Sequence, residues 1–120
     1  MIQLLLHLFG DFIVQNDWMA LNKKKFTWKG ELACQVHCIL YALPFLLIGT
    51  WQAVLVIYIS HYILDRTNIV SWFLSLRNGV YHIKNFGHAI ERPFVISIWL
   101  MIITDNSFHL IFNFLALIFL

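Results

Sequence analysis

Residues 51–74 read WQAVLVIYISHYILDRTNIVSWFL, and within this run only Asp65 and Arg66 carry a fixed charge. A bilayer core of about 30 Å is crossed by roughly 20 mostly apolar helical residues, so the run is long enough to span one. It also holds His61 and Asp65, four positions apart and so on one helix face. A carboxylate at the centre of a membrane helix costs about 2.5–3.5 kcal/mol on insertion scales. A group that expensive is kept for a partner, a proton or a ligand. The stretch therefore sets two expectations at once: helices in a membrane, and a polar centre among them.

The rest of the chain agrees with the first expectation. Of 120 residues, 61% are hydrophobic and 12% charged, against roughly 45–50% and about 25% in soluble domains; mean hydropathy is +0.77. These values exclude an ordinary soluble domain and a disordered tail. A net charge of +2 is too small to point to nucleic acid as a partner. Cys34 and Cys38 lie inside an apolar run and make no disulfide framework. Apolar stretches at about 2–20, 32–48, 51–74 and 94–120 predict an all-α, single-domain, four-helix integral membrane bundle, because backbone groups in lipid must be satisfied within the segment. The first stretch lacks a basic leader and contains Asp11, so it reads as a retained span and not as a signal peptide.

Seven of the eight Lys and Arg fall in the connections 21–31 and 75–93, and Arg66 is the exception. Up-down order puts both connections on one face. The positive-inside rule makes that face cytoplasmic, with both termini outside. Trp18, Trp28 and Trp72 lie near it, as interfacial aromatics do. The Lys23–Lys25 run reads as a topology determinant and a contact for anionic lipid.

The second expectation rests on spacing. His7 and Asp11 repeat the i,i+4 pattern of His61 and Asp65, and Asp105 with His109 reverses it. In the antiparallel order above, each Asp lies nearer the cytoplasm and each His one turn deeper, about 5–6 Å. Counted at about 1.5 Å per residue, the three Asp lie roughly 12–17 Å down, and His37 on the second helix at roughly 8 Å. Imidazole and carboxylate together suit zinc, with manganese or iron as further candidates. His7, Asp11, His61, Asp65 and His109 are the expected metal ligands, with Asp105 or His37 as general base or orienting group. Such a site would activate water against a phosphoester or ester of an amphipathic substrate entering from the cytoplasmic leaflet.

Two other functions fit the same residues. They could form a proton or ion path, or polar glue in a structural or partner-binding subunit without catalysis. Arg66 reads either as an anion contact or as a side chain snorkelling to the surface. Gln15 continues the His7–Asp11 face. Cys34 and Cys38 read as small buried apolar residues, and His82 and His88 as solvated loop residues. A bundle this small also leaves room for a homo-oligomer that completes its site across chains.

The opening His7-Leu-Phe-Gly-Asp11-Phe-Ile-Val-Gln15, with Ser60-His61 and Leu64-Asp65 further on and Asp105 four before His109, resembles a family of small bacterial and phage membrane proteins. That family is catalogued only as a domain of unknown function. The resemblance covers almost the whole chain and implies a multi-pass protein of the bacterial inner membrane. Asn106 stands where the family usually has Gln.

Overall fold

The computed structural model describes residues 1–120, with 79% of them helical and no strand. The fold class is all-α. The helices are α1 (Ile2–Leu8), α2 (Asp17–Asn22), α3 (Trp28–Ala42), α4 (Trp51–Arg66), α5 (Ile69–Asn78) and α6 (Phe94–Phe119). A π-helical turn, Phe9–Val14, follows α1, and 3₁₀ turns occupy Leu43–Leu47 and Lys84–Gly87. By length and composition, Trp28–Leu47 and Phe94–Phe119 are each apolar enough to cross a membrane.

Local chemistry sets the boundaries. The stretch 2–20 is not one helix: it widens into the π turn, leaves helical geometry at Gln15 and restarts at Asp17. Asn16 caps the restart, its side chain accepting from Met19 N at 3.0 Å. Thr27 caps α3 by accepting from Gly30 N at 3.1 Å, so α3 begins four residues earlier than the hydropathy suggests. Pro44 lies in the first turn of the 3₁₀ segment that ends it. The stretch 51–74 is also two helices, interrupted at Thr67 and Asn68, with Arg66 closing α4. Asn68 leaves helical geometry at the head of α5 and makes no side-chain hydrogen bond to its first turn.

Contacts divide the chain into two compact units. The first comprises Met1–Arg66 and His109–Leu120, the end of α6. Its apolar core is Tyr41, Ala42, Phe45, Ala53, Ile57 and Ala116. Gln3 Nε2 donates to Leu110 O at 2.7 Å and Thr50 Oγ1 to Leu120 O at 3.0 Å, tying both ends of the α6 segment to the unit. The second unit is Thr67–Phe108. Phe73 meets Phe108 edge-on at 5.1 Å. Gly87, at φ +79°, lies where a Cβ would strike Ser71 O and Ser75 N, which only glycine tolerates.

Beside the apolar core, polar side chains are buried while large apolar ones lie outside. His7, His37, His61, His109 and Asn113 are buried, whereas Trp99, Ile103, Ile111 and Phe114 on α6 are exposed.

Candidate metal centre

The centre assembles from the π turn, α3 and α4. His37 lies mid-way along α3, and His61 and Asp65 occupy the last two turns of α4. The wider π turn carries Asp11 toward them, with Gly10 packed so closely on Tyr41 that a Cβ there would come within 2.5 Å of its ring. The Nε2 atoms of His37 and His61 are 2.9 Å apart. Asp11 Oδ1 lies 3.3 Å from the first and 3.4 Å from the second. Asp65 Oδ2 lies 3.0 Å and 3.3 Å from the same two nitrogens. One donor atom from each of these four residues lies within 4.8 Å of all the others, close enough to hold a metal ion.

The outer carboxylate oxygens each meet another histidine. His7 Nδ1 is 3.4 Å from Asp11 Oδ2, and His109 Nε2 is 3.3 Å from Asp65 Oδ1. Tyr41 links the layers. Its hydroxyl accepts from Asn113 Nδ2 at 2.6 Å and pairs with His7 Nδ1 at 2.7 Å, while its ring stacks on His61 at 3.6 Å between centroids. With two lone pairs, the hydroxyl oxygen can accept from Asn113 and also from His7 Nδ1–H, the tautomer that presents a proton to Asp11 Oδ2 as well. Such outer hydrogen bonds fix imidazole orientation at metal sites.

A cation reaches the centre from the connection after α2. Lys23 Nζ lies 2.6 Å from Asp65 Oδ2. Arg66, next to Asp65, holds that connection in place. Its NH1 donates to Lys23 O at 2.9 Å and Lys25 O at 2.5 Å, and its Nε lies 3.3 Å from Glu31 Oε2. Glu31 also accepts from Gln35 Nε2 at 2.8 Å and Tyr62 OH at 3.0 Å. The guanidinium is thus engaged inside the first unit, which differs from a side chain snorkelling to a surface.

The residues expected from spacing are largely brought together. Asp11, His61 and Asp65 meet, and His7 and His109 each touch a carboxylate of the group. His37 differs from expectation. It stands among the four donors, not in a shallower layer. α3 begins at Trp28, four residues before Leu32, which sets His37 about 6 Å further along its helix than the hydropathy implies. Asp105 lies in the second unit, half-buried, one helical turn before His109. His88 is buried, not solvated, and neither ring nitrogen has a hydrogen-bond partner. Cys34 and Cys38 are free and buried, their Sγ atoms 3.8 Å apart.

Sequence reasoning missed three residues. Tyr41 follows His37 by four and Asn113 follows His109 by four, so extending the same helix faces would have found both. Lys23 is 42 positions from Asp65, and no periodicity signals it.

A family model described as "Protein of unknown function (DUF3307)" matches residues 1–119. None of the curated proteins and none of the solved structures matches the chain.

Proposed function

Because the chain belongs to the DUF3307 family of proteins of unknown function, its activity has to be read from the centre itself, and we propose a divalent-metal-dependent membrane hydrolase. One observation carries this reading: the spacing of the four donors. A tetrahedral ion bonded at about 2.0–2.1 Å holds its donors about 3.3 Å apart. Five of the six donor–donor separations among Asp11, His37, His61 and Asp65 are 2.9, 3.0, 3.3, 3.3 and 3.4 Å. Two imidazoles facing each other through Nε2 can share only one proton, whereas a cation between them takes both lone pairs. Two carboxylates supply the opposing charge, and the mixed donor set favours zinc, then manganese or iron.

Bound there, the ion would polarise a phosphoryl or carbonyl oxygen and make water a nucleophile near neutral pH. Zinc can expand from four to five ligands during reaction. The side open to water and substrate is that of Asp11 and Lys23, whose side chains are 13% and 16% exposed, against 5% or less for His37, His61 and Asp65. His7 and His109 orient the outer carboxylate oxygens, and Tyr41 orients His7.

The many exposed large apolar side chains support a membrane setting, since an exposed apolar surface of this extent is unstable in water. We place the chain as a four-span bundle in the bacterial inner membrane, both termini outside and residues 21–31 and 75–93 cytoplasmic. On that topology Lys23 and the open side of the centre face the cytoplasmic leaflet, the source of an amphipathic phosphoester or ester.

The test is metal content per chain after purification in mild detergent, for the wild type and His61→Ala. Near-stoichiometric metal that disappears in the variant supports the reading. A folded wild type that neither retains zinc, manganese or iron nor binds them when they are added back overturns it.

A further inference from the structure

Asp65 faces in two directions. Its Oδ2 meets the Nε2 atoms of His37 and His61 at 3.0 and 3.3 Å and the Lys23 ammonium at 2.6 Å. Its Oδ1 lies 3.3 Å from His109 Nε2, which is again the donor spacing of a tetrahedral ion, about 3.3 Å. The helix that carries His109, α6, runs unbroken from Phe94 to Phe119. Asp105, four positions before His109, therefore stands on the same face. A donor atom from each of Asp65, Asp105 and His109 lies within 4.8 Å of the other two, and Asp65 belongs both to this group and to the four-donor group.

An orienting role for His109 explains its contact with Asp65 but leaves Asp105 without a reason to be there. Two carboxylates this close repel, the more so away from water. A neutral imidazole has one N–H to offer, and Lys23 contacts the other oxygen of Asp65. A cation held by one oxygen of each acid and by the lone pair of His109 satisfies all three groups. A carboxylate can serve one ion through each of its oxygens, and the paired ions of two-metal hydrolases stand about 3.5–4 Å apart. Helix bundles build such centres from acids and histidines on facing helices.

We propose a second metal position, held by Asp65 Oδ1, Asp105 and His109 Nε2, so that Asp65 bridges two divalent ions. This rests on the metal reading above and makes that centre a two-ion one. Charge sets the order of filling. Asp11, Asp65 and Asp105 carry three negative charges, whereas Lys23 and one divalent ion carry three positive ones; the histidines add none as neutral ligands. The four-donor position has more ligands and fills first, which leaves the centre balanced. The second ion enters with no net charge to attract it and binds more weakly.

The test titrates manganese(II) into the full chain in mild detergent. Equilibrium dialysis counts the bound ions, and electron paramagnetic resonance reports their surroundings. The wild type is expected to bind two ions per chain in two steps. The isolated-ion signal gained in the first step should give way to a coupled one in the second, because neighbouring manganese ions bridged by a carboxylate couple magnetically. Asp105→Asn and His109→Gln should each keep the first step with its isolated-ion signal, which shows them folded, and lose the second. A wild type that saturates at one ion, two ions without coupling, or a second step that survives in both variants overturns the proposal and leaves the four-donor centre standing. Loss of both ions in both variants overturns it as well, since the two positions would not be separable. A wild type that binds neither manganese nor zinc overturns the metal reading itself, and this proposal with it.

Discussion

The Nε2 atoms of His37 and His61 face each other at 2.9 Å, each within 3.4 Å of an oxygen from both Asp11 and Asp65. The pair comes from two neighbouring helices that need not have met in this register, and it gives the centre its geometry.

That relationship makes the two histidines equivalent. His37→Ala should abolish metal retention as completely as His61→Ala. His7→Ala should keep the metal with an affinity about 10- to 100-fold weaker, the usual effect of losing an orienting partner. Competition against a graded series of chelators measures this. A His37→Ala protein that binds zinc as tightly as wild type would return His37 to the role of a base.

Metal removal should be felt in stability. A ligand present at 100 times its dissociation constant stabilises a fold by about 2.7 kcal/mol. Stripping the protein with a chelator should lower its melting temperature in detergent, and adding zinc back should restore it. Asp65→Asn should show no such zinc response and should remain helical by circular dichroism.

Tyr41→Phe removes one hydroxyl but keeps the ring stacked on His61. The Asn113 amide and His7 then lose their buried partner, at a cost of about 1–3 kcal/mol. Unfolding of the variant in a denaturing detergent should begin earlier, with metal stoichiometry unchanged. Loss of the metal instead would mean that Tyr41 does more than orient His7.

Gly10→Ala drives a methyl to within 2.5 Å of the Tyr41 ring. Overpacking of this kind costs about 1–3 kcal/mol, and here it also pushes on the stack against His61. Gly79→Ala is the control: its φ is +69° and nothing lies within 4 Å of the new Cβ. That change should cost about 1 kcal/mol of backbone strain and leave zinc affinity alone. Thermal melts with and without zinc separate the two effects.

Arg66→Ala should free the turn that carries Lys23. Trypsin should then cut after Lys23–Lys25 several times faster than in wild type, because exposed and untethered turns are the preferred sites of nicking. An ammonium in place of the fork-shaped guanidinium cannot reach two carbonyls and a carboxylate together, so Arg66→Lys should behave more like Arg66→Ala than like wild type. Equal cleavage in all three proteins would show that the turn is held by other contacts.

Much of the site was written in the helix period. His7 with Asp11 and His61 with Asp65 can be found by counting, because residues four apart share a face whatever the helix packs against. Tyr41 and Asn113 obey the same count from His37 and His109, but neither is ionised, so an apolar run gives no sign that either needs a partner. Helix ends were harder. Hydropathy runs straight through Gln15–Asn16 and Thr67–Asn68, where the helices break, and it gives no sign of the Thr27 cap that lengthens α3.

By itself, the sequence determined the all-α class, the apolar exterior and the set of ionisable groups obliged to find partners, because these follow from composition and from the 3.6-residue period. Only the tertiary structure decided that His37 joins His61 at a single point and that the π turn brings Asp11 to them. It also decided that Lys23, 42 residues from Asp65, supplies a cation to the same oxygen. Contacts between helices depend on their relative register and on the loops that set it, and no local pattern in the chain encodes a meeting of that kind.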